Sequence, residues 1–489
     1  MKSRTSNTSK EVILAALEAT HGITLLHNVL NDAAGHSVLT LLRALVNPQA
    51  AAAEIARAYS QAFNALAAAA NEEIWVAGLA DAWQAHLITR ILDDTNQWST
   101  QAERAGATGI APAIRSQAQR DLRALRLFFD LTAETFWRLT REAVTPDMPE
   151  LHDAWVPWYD LAPPPSRTEV LTARDILGQR LIEHEDWTDL VDPLTEHWAR
   201  HGTGLFARYH VLRWQGREEG LQGISYPDPI QLSSLIGYER EQGKLKANTE
   251  RFLQGLPAHD TVLYGTPGTG KSSTVKALAN AYADRGLRLV EVSKELVSDL
   301  PQIAALLRGR APRFLIFIDD LSFEEHEVQY KALKVLLEGS AEVRPNNVLI
   351  YATTNRLNLI RESFSDRGKP TEDVHWRDTM DEKNSLVARF GLRVTFVAPD
   401  QERYLKIAVE LAQQRGIDLP EEDLRMRALL WERQRSGRSG RTARQFVDDL
   451  EADYNFSKER YPSHKSDPSA SLSPTAPSES RQEASEMVN

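Results

Sequence analysis

Along the first two hundred residues, apolar positions recur with helical spacing. Trp75, Leu79, Trp83, Leu87 and Ile91 are four apart on a polar background, and Leu122, Leu125, Phe129 and Phe136 repeat the pattern. Both read as the buried stripe of an amphipathic helix. Alanine, the strongest helix former, is abundant here, as in LAAAANEE. WVPWYDLAPPPSRTE, 155–169, interrupts the pattern with four prolines and predicts a subdomain border. GREEGLQGISYPDPIQ, 216–231, reads as a connector. Beyond it the period changes: TVLY (261–264), LRLVEV (287–292), RFLIFI (313–318), NVLIYA (347–352) and LRVTFV (392–397) are short β-branched or apolar runs separated by helix-length segments. Such alternation predicts an α/β unit, a five-stranded parallel sheet with helices on both faces.

The expected organisation is a mostly α-helical N-terminal region (1–215), the connector (216–231), an α/β core (232–399) and a helical, arginine-rich lid (400–455). A Ser/Pro/Glu-biased tail expected to be disordered (456–489) follows.

The 489 residues are 42% hydrophobic and 26% charged, with net charge -11, which disfavours general polyanion binding but leaves a local basic patch open. With no cysteine, disulfides, thiolate chemistry and cysteine-ligated zinc are excluded. The thirteen histidines show no H-E-x-x-H or similar spacing, so no zinc site is proposed. No apolar run is long enough for a membrane span, and Glu11 and Glu18 interrupt the stretch a signal peptide would need. The expected location is cytoplasmic.

GTPGTGKS carries the chemistry. It comprises Gly265, Thr266, Pro267, Gly268, Thr269, Gly270, Lys271 and Ser272, followed by Ser273, and lies between a strand-like run and a helix-like run. This is the G-x-x-x-x-G-K-[ST] phosphate loop in its proper context. Glycines let the loop wrap so that backbone N–H groups and the helix N-terminus face phosphate oxygens. Lys271 would supply charge to the terminal phosphates of ATP, and Ser272 a hydroxyl to Mg²⁺. FLIFIDD delivers Asp319 at the end of a buried strand, suited to holding Mg²⁺. Asp320 stands where many such ATPases carry the glutamate that polarises the attacking water; it is one methylene shorter, and Glu324 is a competitor.

At this point the chain resembles the AAA+ superfamily, and in particular a bacterial domain-of-unknown-function family of predicted AAA+ ATPases. The resemblance rests on SSLIGYEREQGKLKANTERFLQG (233–255), VLYGTPGTGKSS, FLIFIDDLSFEE, RPNNVLIYATTNR, SLVARFGLRVTF and RSGRTARQFVDDL, collinear over most of 230–450. It implies a P-loop AAA+ module with a C-terminal helical lid. By the same resemblance Ile236 and Gly237 contact the base, and Asn355 is sensor 1, or merely a turn cap. Arg389 is an arginine finger reaching a neighbour's γ-phosphate, or a surface arginine paired with Asp381 or Glu382. Arg441 is sensor 2 on the lid, with Arg444 as the other candidate.

These residues imply a Mg²⁺-dependent ATPase acting as a homo-oligomer, with an unidentified protein partner engaged through the N-terminal region. Two alternatives stand beside it. The Asp319-Asp320 pair, in place of Asp-Glu, fits a slow ATP-bound conformational switch. The same pair and the RFGL segment resemble initiator and helicase-loader proteins, and the run Arg425, Arg427, Arg433, Arg435, Arg438, Arg441 and Arg444 would serve nucleic acid, or a solvated lid face.

Overall fold

The computed structural model describes residues 2–72, 75–161, 172–322, 330–338, 345–355, 386, 388–435 and 437–460. All five expected runs are strands of one sheet. They are β3 (Thr261–Gly265), β4 (Leu287–Glu291), β5 (Arg313–Ile318), β6 (Val348–Thr354) and β7 (Leu392–Phe396). Two further strands, β1 (Val211–Trp214) and β2 (Leu221–Gly223), make the sheet seven-stranded, in the order β2-β1-β4-β5-β6-β3-β7. Every pairing is parallel except that of β1 with β2. The central strands β5 and β6 are buried almost throughout, as two-sided coverage by helices requires.

The expectation of five strands is thus corrected to seven. VLRW is a four-residue run whose only cue is apolar content, and LQG carries none; their pairing with β4 and with each other makes them strands. β1 lies on the N-terminal side of residue 215 and β2 inside the expected connector, so the sheet recruits chain from both.

The N-terminal region is helical and has one apolar core, drawn from Ile13 through Trp198. It spans both sides of the proline-rich stretch, of which 162–171 lies outside the described residues. Five tryptophans, Trp83, Trp98, Trp158, Trp187 and Trp198, are fully buried in it. The stripe predicted from Trp75 to Ile91 is shorter than its spacing implied. The helix is Ala82–Asp93, started by the Asp81 carboxylate accepting from the backbone N–H groups of Trp83 and Gln84. Gly78, at φ +87°, breaks the chain ahead of it. The second stripe is divided between helices Pro112–Phe129 and Ala133–Val144, with Thr132 capping the latter.

This region is joined to the β1–β4–β5 side of the sheet. From β4, the buried guanidinium of Arg288 donates to the carbonyls of Phe206 (2.7 Å), Ala283 (2.9 Å), Leu287 (2.9 Å) and His201 (3.2 Å). Just before β5, Arg310 makes a two-pronged pair with the buried Glu103 at 2.6 and 2.7 Å. The lid consists of helices Gln401–Gln414, Glu421–Gln434 and Gly440–Arg460. The tail beyond 460 lies outside the described residues.

Candidate nucleotide site

The site forms where β3 ends. Gly265 has φ +150°, and a Cβ there would stand 1.9 Å from the Phe396 carbonyl oxygen of β7, so the edge strand leaves room for nothing larger than glycine. The loop then turns through Gly268 (φ +80°) and Gly270 (φ +89°) into helix Lys271–Tyr282. Thr266 and Pro267 are exposed at its tip, while the buried Thr269 hydroxyl donates to the Thr266 carbonyl at 2.9 Å and holds the curl. Thr274 Oγ1 donates back to Gly270 O at 2.8 Å, anchoring the first helical turn. Ser273 is half-buried in that turn.

Lys271 is buried, and its ammonium is fully coordinated by the protein. It donates to Gly265 O (2.7 Å), Thr266 O (3.0 Å) and Asn355 Oδ1 (2.7 Å). Burial pushes its pKa below the ordinary lysine value. Asp319 and Asp320 pull it back up, and the charge of Arg441 lowers it again.

Three neighbouring strands close a ring of hydrogen bonds around this lysine. Ser272 Oγ donates to Asp319 Oδ1 at 2.6 Å. The same oxygen accepts from Thr353 Oγ1 (2.5 Å) and the Asp320 backbone N–H (3.2 Å). Asp320 N–H also reaches Thr353 Oγ1 at 2.9 Å. Asn355 Nδ2 donates to Asp320 Oδ1 at 2.9 Å while its carbonyl oxygen accepts from Lys271. Asp320 sits at φ +49°, a left-handed conformation that aspartate tolerates better than most side chains but that still costs roughly 1 kcal/mol or more.

Thr353 was not singled out in the sequence. Its signal was available: in ATTNR it is two residues before Asn355, and alternate residues of a strand share a face.

The lid reaches the loop through the start of helix Gly440–Arg460. Arg441 N–H donates to Gly268 O at 3.1 Å, and a Cβ at Gly268 would meet Ser439 Oγ (2.9 Å) and Arg441 Cβ (3.2 Å). The backbone contact falls on Arg441, with Arg444 a turn further along. Ile236 is buried in the core shared by sheet and lid. Gly237, at φ +88°, faces Ile407 and Arg403 of helix Gln401–Gln414. Arg389 is half-buried just ahead of β7, its N–H on Leu386 O at 3.3 Å. Asp381, Glu382 and Glu324 lie outside the described residues.

Three arginines of the lid's run of seven are engaged within the lid. Arg425 pairs with Glu402 (2.8 Å) and Glu421 (3.4 Å), Arg438 with Glu432 (3.3 Å), and Arg435 lies over the Trp431 ring.

The oxygens of Ser272 and Asp319, a hydroxyl and a carboxylate side by side at the foot of the phosphate loop, fit a small hard cation that takes its other ligands from phosphate and water. No group of three or more His, Cys, Asp or Glu positioned to hold a metal occurs among the described residues. Nor, among them, is any helix long and apolar enough to cross a membrane.

The chain is similar to several known proteins over part of its length. The chain is 30% identical over 145 residues to the proteasome-activating nucleotidase of Methanosarcina mazei, covering 26% of this chain and 34% of that protein. It is 24% identical over 226 residues to the nucleotidase of the same name from Methanocella arvoryzae, covering 41% and 54%. To the Holliday junction branch migration complex subunit RuvB of Rickettsia africae it is 28% identical over 158 residues, covering 28% and 44%. The chain thus spans between about a third and about half the length of these curated relatives. The solved Thermotoga maritima RuvB branch migration motor overlaps 47% of this chain and 67% of its own, at 16% identity and a TM-score of 0.34. Residues 207–454, just over half of the chain, match the family described as a protein of unknown function, DUF815. Through that match and these relatives, the chain belongs to the DUF815 family, a family of AAA+ superfamily proteins.

Proposed function

We propose that the protein binds ATP with Mg²⁺ at the phosphate loop and hydrolyses it as a homo-oligomer, remodelling or loading a partner engaged by its N-terminal region. The observation that carries this reading is the closed ring from Ser272 through Asp319, Thr353, Asp320 and Asn355 to Lys271. In it, one phosphate-binding cation, one cation-binding carboxylate, one base and one amide meet at a helix N-terminus.

Entry of a triphosphate would draw Lys271 Nζ from the loop carbonyls to phosphate oxygens. Desolvation favours that exchange, because a buried ammonium gains from an anionic partner. Asp320 Oδ1 would then accept the proton of the attacking water, and Asn355 Nδ2, already on that carboxylate, would hold the water in line. Bound Mg²⁺ would add positive charge at the phosphates beside Ser272 and Asp319. Arg389, supplied by a neighbouring copy, would stabilise charge developing on the γ-phosphate. Arg441 would report that charge to the lid through its contact with Gly268.

The test is steady-state hydrolysis with excess Mg²⁺ at increasing protein concentration. A rate per subunit that climbs with concentration is expected. Arg389→Ala should keep ATP binding and lose turnover by a factor on the order of 10³ or more, as arginine fingers do elsewhere. Equal loss of binding and turnover would sink its assignment as a finger.

A second reading is favoured by Asn355 itself. Its amide holds Lys271 and Asp320 together, an arrangement suited to a slow, ATP-retaining switch. Negligible turnover at every concentration, with nucleotide still bound after purification, selects this reading over the first.

A further inference from the structure

A second charged site lies outside the ring, on helix Glu239–Leu253. One face of that helix carries Arg240, Gly243, Lys244, Ala247 and Arg251, the last four standing three, four, seven and eleven residues beyond Arg240. With His259 and Leu392 of the edge strand β7, this face lines an open trough of about 410 Å³. Its lining contains three permanent cations and no carboxylate.

Two of the helix's acidic side chains are engaged away from the trough. Glu239 accepts from Gly237 N–H (2.9 Å) beside Lys406, and Glu250 accepts from Tyr282 OH at 2.7 Å. Arg240, Lys244 and Arg251 form no ion pair among the described residues, whereas Arg425 and Arg438 of the lid do. In a chain of net charge -11, three unneutralised cations on one face define a local field opposite to that of the whole molecule.

The trough is also shaped in advance. Asn248, buried at its base, donates to His259 O (2.8 Å) and accepts from His259 N–H (3.0 Å), fixing the far wall to the helix. Gly391 leaves space for the His259 ring, which lies within 3.0 Å of where a Cβ would be. On the floor, a Cβ at Gly243 would meet nothing within 4 Å, so a ligand can approach the helix backbone. Along the helix the cations span 11 residues, roughly 16 Å.

We propose that this trough binds the phosphodiester backbone of nucleic acid. A row of cations over a small-residue floor matches a chain that repeats one negative charge. Leu392 is the one large apolar side chain in the lining, which holds no Phe, Tyr or Trp, and the His259 ring is packed against Gly391, so peptide anchors and base-stacking platforms have no pocket. Binding is therefore sequence-independent and strongly salt-dependent. This site is independent of ATP hydrolysis, and it differs from the lid arginines that the sequence suggested.

The experiment titrates the full chain into a fluorescent 30-base-pair duplex at stepped KCl, reading anisotropy, with ATP binding measured in parallel. Three phosphate contacts predict a slope of log affinity against log salt steeper by roughly 2.7 than in the triple variant Arg240→Ala, Lys244→Ala, Arg251→Ala. At low salt that variant should lose at least tenfold in duplex affinity while still binding ATP. Arg425→Ala should retain the wild-type slope. Inorganic phosphate and tripolyphosphate serve as competitors: displacement only at large phosphate excess supports a polymer ligand, whereas displacement at matched phosphate concentration assigns the trough to small phosphates and overturns the proposal. It is equally overturned by an unchanged slope in the triple variant, by no binding at the lowest salt, or by a poly-glutamate peptide binding more tightly than the duplex. A triple variant that fails to bind ATP is replaced by the single Arg251→Ala, expected to lower the slope by roughly 0.9.

Discussion

Two regions of the molecule are held by opposite kinds of polar chemistry. Around the P-loop, between β3, β5 and β6, the polar groups form a ring that faces solvent: Asp319, Asp320 and Asn355 are exposed, so solvent reaches the groups they contact. At the β1–β4 end, Asp93 is buried with Arg174 and Arg208 as partners, and Arg288 is buried on carbonyls alone. Little solvent reaches Asp93, Arg174 or Arg288 to replace those partners. The first region is therefore built to exchange partners and the second to keep them. The N-terminal region is thereby fastened to the sheet, through β1 and through Arg288 on the carbonyls of His201 and Phe206.

The contrast breaks most readily at Asp93. Replacing it with Ala strands two guanidinium groups in a largely buried setting, and such changes typically cost about 3–5 kcal/mol. Denaturant unfolding should register that loss, while ATP affinity of the surviving folded fraction stays within about twofold, since Asp93 contacts no residue of the nucleotide site. A large loss of affinity in folded protein would mean that the two ends are coupled.

Lys271→Ala is the converse. It should lower ATP affinity by about a hundredfold, roughly 2.7 kcal/mol, as read by calorimetry. Its effect on unfolding should be small, because the removed ammonium was already penalised by burial. Strong destabilisation would show that the lysine holds the loop together and does not merely wait in it.

A smaller effect is expected with pH. His197 and His201 sit side by side at the junction, with ring centroids 4.8 Å apart. Burial, followed by nearby arginines for His197 and by His197 and arginines for His201, lowers their pKa values from 6.5 to about 3 and about 2. The unfolded chain thus binds protons that the folded chain refuses, so stability falls as pH drops below about 6.5. One pH unit below that point the two sites together cost on the order of 2–3 kcal/mol. Unfolding at pH 7.5, 6.5 and 5.5 measures this, and a His197→Gln, His201→Gln variant should flatten the slope. An unaltered slope would place the acid-sensitive groups elsewhere.

Asp320→Glu sharpens the comparison most finely. Asp320 is exposed, so the longer carboxylate should be accommodated with stability changed by less than about 1 kcal/mol. Under the hydrolytic reading turnover rises or holds. A fall would mean that the left-handed turn at Asp320 is matched to aspartate.

The sequence by itself determined the phosphate loop, the five strands around it, and the chemical identity of Lys271, Ser272, Asp319, Asp320 and Asn355. Those features are local: a glycine spacing, an apolar run and a carboxylate at its end suffice to specify each of them. Tertiary structure alone decided the rest. VLRW and LQG became strands through the pairing of β1 with β4 and of β2 with β1. Thr353 joined the site because β5 and β6 are neighbours, and Arg425 of the lid meets Glu402, 23 residues away. Asp93 meets its arginines 81 and 115 residues away. Contacts of that kind depend on loop closure and burial across the whole chain, and no window of sequence contains both partners.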